Sequence, residues 1–315
     1  MKVKWSCWSS LLILLLAACG YRNAAPSQPS PVIPDQLPQK PAQTQPTAVS
    51  GDSTRSVTSG GILRIYRVHI PPSYNPSRPM PLVIILHGYN LQAEDMVRIT
   101  GFDAQADSVG FVTAYPQGSG TKPAWNGGNC CGEAQIKKVD DVEFIRQMLA
   151  SIAQTTHIEN RRIYATGFSN GAILAYRLAC DLADQIAAVA PVSAAQEMPD
   201  CHPSRAVSVI HFHGTQDKLN PYNGSARFTS VKDSIQFWVK HNTCPSQPQT
   251  TRSGSILHDS YTPCAQNTAV DLYTIENGEH AWPGGESVTA EIGKPTNEIS
   301  ATRIIWDFFA AHPMP

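Results

Sequence analysis

The chain has 315 residues, and its 24 Lys and Arg nearly balance its 25 Asp and Glu, which gives a formal net charge of -1. The basic residues are scattered along the sequence, so the composition argues against a nucleic-acid partner. Eight cysteines are present, and six of them fall after residue 100. An even number in an exported chain favours disulfides over metal or redox chemistry.

The N-terminus has the pattern of a bacterial lipoprotein signal. A lysine-containing start is followed by an apolar run at residues 11–16, which is too short to span a bilayer comfortably. Residues 1–18 are therefore predicted to be a secretory signal peptide. The run ends in Leu16-Ala17-Ala18-Cys19, which resembles a lipobox, and the alternative is an ordinary signal with an incidental Cys. We predict a lipid anchor at Cys19 that holds an exported protein on the cell envelope, facing the periplasm or the exterior.

The composition divides the rest of the chain into two parts. Residues 19–56 are rich in Pro, Gln, Ser and Thr and have few large apolar side chains. Such a segment cannot bury enough apolar surface to offset its ordering entropy, so a disordered tether is predicted. Residues 57–315 have the length of one α/β domain with a full core.

Short apolar runs alternate with helical stretches throughout this domain. The predicted strands are 62–70, 81–86, 111–115, 162–166, 187–190, 207–212 and 272–275. The predicted helices are 139–155, 172–182, 230–241 and 301–311. Strands that are apolar without alternation are typical of a parallel sheet covered on both faces. The sequence therefore predicts a doubly wound, mostly parallel α/β sheet with helices on both faces.

The strongest chemical signal is Gly167-Phe168-Ser169-Asn170-Gly171, which lies between a predicted strand and a predicted helix. A Gly-x-Ser-x-Gly sequence alone is weak evidence, but this position is typical of the nucleophile elbow of the α/β-hydrolase fold. The strained turn exposes the serine hydroxyl at the start of a helix whose dipole favours negative charge. Ser169 is the candidate nucleophile, and the alternative is a helix-capping serine after a Gly turn.

A nucleophilic serine needs a base and an acid, which follow it in this fold in the order Ser, Asp or Glu, His. Asp217 follows the predicted strand 207–212 and is the candidate acid, with Asp184 and Asp271 as alternatives. His280 lies in a Gly-rich loop after the last predicted strand and is the candidate base.

Two further features concern the surroundings of this serine. The oxyanion hole is predicted to consist of the backbone N–H groups of Asn170 and Tyr89, the latter just after a strand end. His211 and His213 share one strand face, but two ligands make a poor metal site. We predict that they are core histidines and that the protein holds no metal.

Taken together, these motifs resemble one family. They are Leu86-His87-Gly88, Trp125 to Gly132, Val139 to Val142, Gly167 to Gly171, His213 to Asp217 and His280 to Gly285. The chain resembles the bacterial polyhydroxybutyrate (PHB) depolymerase-like and feruloyl esterase group, which includes LpqC-type lipoproteins. The resemblance runs from about residue 61 to the end of the domain. It implies serine carboxylesterase activity at Ser169, Asp217 and His280, without a cofactor.

The resemblance also bears on the cysteines. It implies the pairs Cys180 with Cys201 and Cys244 with Cys264, each closing a loop of about 20 residues, and a vicinal pair at Cys130-Cys131. The residues alone do not choose among the possible pairings.

Several side chains near the motifs have two interpretations. Trp125 and Trp282 are candidates for a flat wall of the substrate pocket, and the alternative is that they anchor the Gly-rich loops. Asp140 and Asp141 open a helix and are predicted to cap it.

The expected reaction is two-step acyl transfer on an ester substrate by a protein that we expect to be a monomer. The first candidate substrate is a feruloyl or similar hydroxycinnamoyl ester of plant cell-wall polysaccharide, and the second is a hydroxyalkanoate ester of the PHB type. Two alternatives from other classes are a non-catalytic surface-binding lipoprotein and a peptidase on the same fold.

Overall fold

The computed structural model describes residues 48–287, 289 and 292–315. The predicted signal peptide, the anchor residue Cys19 and most of the predicted tether lie outside the described residues. No helix in the described ranges is long and apolar enough to cross a membrane.

Ten strands form one mixed sheet. The strands are β1 (Gly51–Ser59), β2 (Ile62–Ile70), β3 (Met80–Leu86), β4 (Val112–Pro116), β5 (Ile158–Phe168), β6 (Ala188–Val192), β7 (Ser208–Gly214), β8 (Gln249–Ser253), β9 (Ile256–Tyr261) and β10 (Val270–Ile275). Their order across the sheet is β1-β2-β4-β3-β5-β6-β7-β10-β9-β8. The six central strands, β4, β3, β5, β6, β7 and β10, are parallel to one another. The outer strands, β1 and β2 on one side and β9 and β8 on the other, pair antiparallel.

Helices cover both faces of the sheet. They are α1 (Ala93–Thr100), α2 (Phe102–Val109), α3 (Gly132–Ile136), α4 (Asp141–Thr155), α5 (Asn170–Asp181), α6 (Val231–His241) and α7 (Ala301–Ala311). One apolar core lies between the sheet and α4, α5 and α6, and a second lies between the opposite face and α1, α2 and α7. The side chains of β3 alternate between the two cores, which is why this strand is apolar at every position.

Each strand predicted from an apolar run is present, and the fold is the α/β-hydrolase fold. The start of the domain was placed too late, because β1 begins at Gly51 and pairs with β2 along its whole length. The segment is polar because β1 is an edge strand with one face in solvent. At its N-terminal side, the amide of Ala48 donates to the carbonyl of Thr155, at the end of α4.

The two aspartates at the start of α4 have different roles. Asp140 is the N-cap, and its side chain accepts from the amide of Glu143 at 2.9 Å. Asp141 was expected to cap the helix as well, but it is buried and pairs at 2.8 Å with the buried guanidinium of Arg64. Its other oxygen accepts from the amide of Asn126, so this ion pair holds the loop that contains Asn126.

Candidate active site

Ser169 occupies the turn between β5 and α5 and has φ 56° and ψ -122°. A non-glycine residue with positive φ is strained, and this strain is typical of a nucleophile elbow. The flanking glycines are required by close packing, because a Cβ at Gly167 would collide with the backbone of Gly171. A Cβ at Gly171 would in turn collide with the carbonyl of Leu86 on β3. The Gly-x-Ser-x-Gly spacing is thus explained by this turn.

His280 lies in the loop after β10 and is bonded to Asp217, which follows β7. Nδ1 of His280 lies 2.7 Å from Oδ2 of Asp217, and both residues are buried. The imidazole also packs against the ring of Phe168, with centroids 4.8 Å apart. Because Nδ1 faces an ionised acceptor, it carries a proton, and Nε2 of the neutral ring is left free to accept one.

The carboxylate of Asp217 is held from both ends. Oδ1 accepts from the amides of Leu219 at 2.9 Å and Asn220 at 2.8 Å. Oδ2 faces Nε2 of His213 at 3.3 Å in addition to His280. Burial opposes ionisation, but the hydrogen bonds from His213 and His280 outweigh it and hold the pKa of Asp217 well below its usual range. Asp217 is therefore ionised at neutral pH.

The two alternative acids lie elsewhere. Asp184 lines a separate groove with Leu82 and Ile158, at the opposite edge of the sheet. Asp271 is on β10 and faces Nε2 of His258 at 3.2 Å. Of the three candidate acids, Asp217 is the one in contact with His280.

The candidate oxyanion donors lie beside Ser169. A Cβ built at Gly88 would be 3.3 Å from the Cβ of Ser169, so the segment that carries Tyr89 passes next to Ser169. The amide of Tyr89 has no hydrogen-bond acceptor within the described part of the chain. Asn170 opens α5, where an amide has no acceptor within the helix. Both N–H groups are thus available to a ligand.

His87 supports the same segment in its neutral form. Nδ1 of its ring lies 2.7 Å from the carbonyl of Gly88, and Nε2 accepts from the amide of Gly118 at 2.8 Å. Burial lowers the pKa of His87 to about 4. The ring is therefore uncharged at neutral pH and stabilises the segment at Gly88 through contacts at both of its nitrogens.

A cavity of about 300 Å³ opens at this edge of the sheet. Ser169 and His280 both line it, and its other walls are mostly apolar. They are formed by Gly88, Tyr89, Asn90, Leu91, Phe168, Leu219, Thr289 and Ile292. Tyr89 is 44% exposed and Leu219 is 51% exposed, so both present apolar surface to solvent at the mouth. The cavity can hold an apolar group next to Ser169, His280 and Tyr89.

Residues 64–238 match the model of the PHB depolymerase esterase family. This match covers more than half of the chain. The chain belongs to the PHB depolymerase esterase family. The resemblance seen in the sequence is thereby confirmed.

Relatives of this esterase agree with the assignment. Feruloyl esterase B from Piromyces equi is 31% identical over 235 residues, which cover 70% of this chain but only 43% of that protein. Putative esterase NocK from Nocardia uniformis subsp. tsuyamanensis is 26% identical, with 93% of this chain and 94% of that protein covered. The structure of an acetyl xylan esterase from Aspergillus awamori has a TM-score of 0.60 at 13% identity and covers 82% of this chain and 99% of that one. The last likeness shows the shared fold alone.

The esterase does not use Trp125 and Trp282 as exposed walls of this cavity, which corrects one sequence prediction. The two side chains are 0% and 1% exposed. The indole of Trp125 donates to the carbonyl of His87 at 2.8 Å, and that of Trp282 donates to the hydroxyl of Thr302 at 3.0 Å. Each indole N–H thus has a partner inside the protein, and each Trp anchors a loop.

Two cysteine pairs stabilise the esterase domain. Cys180 is bonded to Cys201 and Cys244 to Cys264, which are the pairs that the family resemblance implies. With sequence separations of 21 and 20, each contributes about 3 kcal/mol by loop entropy. The sulfur atoms of the adjacent Cys130 and Cys131 are also joined.

Two groups of residues in the esterase resemble metal sites. His211 and His213 are buried, and a hydrogen bond joins their rings, with Nε2 of His211 3.0 Å from Nδ1 of His213. Asp52, His69 and Asp103 converge within ligand distance, but Arg67 bonds both carboxylates, at 2.8 and 2.7 Å. In each case protein groups already occupy the ligand atoms.

The sequence did not single out several residues of the candidate site. Leu91, Leu219 and Ile292 line the cavity, and each comes from a different loop. Nothing in the local sequence distinguishes them from core residues. The position of Leu219, two residues after Asp217, was the one usable signal, because that loop must lie beside His280.

Proposed function

We propose that this chain is a serine carboxylic ester hydrolase with Ser169 as nucleophile, His280 as base and Asp217 as acid. The observation that carries the proposal is that His280, oriented by Asp217 at 2.7 Å, lines the same cavity as Ser169 on its strained turn. Membership of an esterase family supports it.

The proposed reaction has two steps. Nε2 of His280 takes the proton of Ser169 as its oxygen attacks the ester carbonyl. The amides of Tyr89 and Asn170 stabilise the oxyanion, and each such donor typically contributes about 10²- to 10³-fold in rate. His280 then gives the proton to the leaving alcohol, which leaves an acyl group on Ser169. Water, deprotonated by the same imidazole, attacks this acyl group and releases the acid.

The proposed substrate is a feruloyl or similar hydroxycinnamoyl ester of plant cell-wall polysaccharide. An aryl acyl group is flat and largely apolar, which suits a cavity lined by Leu91, Phe168 and Ile292 with Tyr89 and Leu219 at its mouth. The name of the Piromyces relative, feruloyl esterase B, points to the same class. The family description makes hydroxyalkanoate esters the second candidate.

One substrate panel tests both the reaction and the acyl group. Hydrolysis of methyl ferulate, p-nitrophenyl acetate and hydroxybutyrate oligomers is measured for the wild type and Ser169→Ala. Ser169→Ala is expected to lose all three activities and its labelling by a fluorophosphonate probe. Ser151→Ala is the control, because this serine is on α4 and its hydroxyl is bonded to Tyr66. Wild-type protein that neither labels nor turns over any ester would refute the proposal in favour of a binding protein, and cleavage of p-nitroanilide peptides would favour a peptidase.

The acyl preference is tested at the mouth of the cavity. Leu219→Ala removes apolar contact area, so we expect the ratio of kcat/KM for methyl ferulate to that for p-nitrophenyl acetate to fall about tenfold. The control is Ile136→Ala, which truncates an equally apolar side chain that is 76% exposed and does not line the cavity. An unchanged ratio in Leu219→Ala would refute the proposal that the aryl acyl group of the substrate contacts Leu219.

We further propose that the enzyme is exported and held on the envelope by a lipid on Cys19. The support is the apolar run at residues 11–16 and the sequence Leu16-Ala17-Ala18-Cys19. The membrane is then a partner through the anchor alone.

A further inference from the structure

A buried series of hydrogen bonds leads from α5 to His213, whose ring also faces the carboxylate of Asp217. The hydroxyl of Tyr176 lies 2.8 Å from Nδ1 of His211, and Nε2 of His211 lies 3.0 Å from Nδ1 of His213. Nε2 of His213 lies 2.8 Å from the carbonyl oxygen of Asn220 and 3.3 Å from Oδ2 of Asp217. Tyr176, His211 and His213 are at most 1% exposed, so water does not compete for these atoms.

The last acceptors fix the proton on Nε2 of His213, and a neutral His213 ring then fixes the direction of every other proton in the series. A carbonyl oxygen and a carboxylate can only accept, so Nε2 of His213 must donate. Nδ1 of a neutral His213 is then an acceptor, which requires a proton on Nε2 of His211. Nδ1 of His211 must in turn accept from the hydroxyl of Tyr176. All the donors point toward Asp217.

Burial keeps the first two members of the series, Tyr176 and His211, uncharged at neutral pH. The pKa of His211 is well below its ordinary value because the ring is fully buried and lies beside His213. Burial raises the pKa of Tyr176 to a value far above neutral pH, so its hydroxyl keeps its proton. Trp238 of α6 stacks near Tyr176 and adds no ionisable group. Tyr222 contacts His213 edge-on, but its hydroxyl is bonded to Thr274.

We propose that His213 is a positioning residue that orients Asp217 and sets the charge that this carboxylate presents to His280, and that Tyr176 and His211 fix the tautomer of His213. The inference rests on the proposed roles of Asp217 and His280. Its physical basis is that one oxygen, Oδ2, is shared by two imidazoles, since it faces His280 at 2.7 Å and His213 at 3.3 Å. A donor at His213 draws charge away from the side of the oxygen that faces His280.

The first test compares two substitutions at one position. His213→Leu removes the donor, and we expect kcat to fall about 10- to 100-fold, as for a lost hydrogen bond to a charged group. More negative charge on Oδ2 favours the imidazolium form of His280, so the acid midpoint of the kcat/KM profile should move up by about half a pH unit or more. His213→Gln keeps an N–H within reach of the carboxylate, so it should restore most of kcat and the wild-type midpoint.

The second test determines by NMR which ring nitrogens carry protons, and it does not depend on ester hydrolysis. In ¹⁵N-histidine-labelled protein, the shifts of both rings should show a protonated Nε2 and an unprotonated Nδ1 for His211 and His213. Tyr176→Phe removes the hydroxyl donor and should shift the Nδ1 signal of His211. Tyr222→Phe is the matched control, because this tyrosine also touches His213 but donates no hydrogen bond to the series.

The outcomes separate the two proposals. Wild-type protein without Ser169-dependent ester hydrolysis would refute the proposed function, whereas the ¹⁵N result would stand. An active wild type whose His213→Leu and His213→Gln variants share its acid midpoint would refute the positioning role and leave a structural one. A doubly protonated His213 ring in the wild type would overturn the assigned tautomers.

Discussion

The side-chain amide of Asn170 holds Trp125 at both of its backbone polar atoms. Oδ1 accepts from the amide of Trp125 at 2.7 Å, and Nδ2 donates to its carbonyl at 3.1 Å. The indole of the same Trp donates to the carbonyl of His87, so one side chain links the turn at Ser169 to the segment that carries Tyr89. The two proposed oxyanion donors are therefore mechanically coupled through Trp125.

This coupling predicts the effect of Asn170→Ala. The variant keeps its backbone N–H but leaves the buried amide of Trp125 without an acceptor, which costs about 1–3 kcal/mol of stability. The carbonyl of Trp125 keeps a second donor, the amide of Cys131 at 3.1 Å. We expect kcat to fall at least about tenfold as well, because the two donors lose their common support. Asn242→Ala is the control, since Asn242 holds both backbone atoms of Val207 in the same way, away from the cavity. It should lose stability, measured by denaturant unfolding, at near wild-type kcat, and equal kcat values in the two variants would contradict the coupling.

Asp217→Asn tests the proposed acid. We expect the fold to be kept while kcat falls by up to about 10⁴-fold, because an amide neither fixes the tautomer of His280 nor stabilises its imidazolium form. In the wild type, kcat/KM should fall as the pH drops, since only a neutral imidazole accepts the Ser169 proton. The low pKa of Asp217 keeps the carboxylate ionised over this range.

The matched control for the acid is Asp271→Asn. Asp271 also pairs with a histidine, His258 at 3.2 Å, but on β10 and away from Ser169. Its kcat should stay within about tenfold of the wild type, a difference of about 1.4 kcal/mol in barrier. The assignment fails if the two variants exchange these results with their circular dichroism unchanged.

His69 predicts a pH dependence of stability. Its Nδ1 and Nε2 lie 2.7 Å from Asp52 and 2.8 Å from Asp107. Burial opposes protonation, but the hydrogen bonds to Asp107 and Asp52 outweigh it and raise the pKa of His69. A raised folded-state pKa gives a stabilisation that is complete below the unfolded value of about 6.5 and is lost as pH rises through the folded value.

Urea unfolding at several pH values measures this effect. The wild type should exceed His69→Gln in unfolding free energy mainly at acid pH, and the difference should shrink as the pH rises through the folded pKa. His312→Gln is the control, because the ring of His312 is bonded to the carbonyl of Phe308 and to no carboxylate. If the difference in unfolding free energy between wild type and His69→Gln is constant with pH, the ion pairs of His69 do not cause that difference.

Cys19→Ser tests the anchor. The thiol of Cys19 is the proposed site of acylation, so the wild type should enter the detergent phase on phase separation and the variant should remain unprocessed or aqueous. Cys7→Ser is the control, since Cys7 precedes the apolar run. Equal partitioning of wild type and Cys19→Ser would refute the proposed lipid anchor on Cys19.

The parts of the fold that sequence could predict are those whose burial is complete. β3 faces both cores, so its residues are all apolar, and the strand could be recognised from composition alone. β8 could not, because every residue in it is exposed and it pairs only with β9 at the edge of the sheet. Such a strand carries no apolar pattern.

For the candidate site, the motifs indicated the residues whose backbone position is fixed by a strand end. Ser169 and Asp217 follow β5 and β7, and the parallel sheet places those ends at one edge. The positions of the indoles of Trp125 and Trp282 are not determined by a strand end. Trp125 and Trp282 lie in loops, and their burial depends on distant partners, His87 and Thr302, that no local pattern reveals.

The contact between Ala48 and Thr155 has a consequence for orientation. Thr155 ends α4, and the chain then enters β5 and runs the length of the sheet before it reaches Ser169. The described chain thus joins the domain at the edge opposite the cavity. A group joined to this end of the described chain would therefore lie at the opposite end of the parallel strands from Ser169, where it would not cover the cavity.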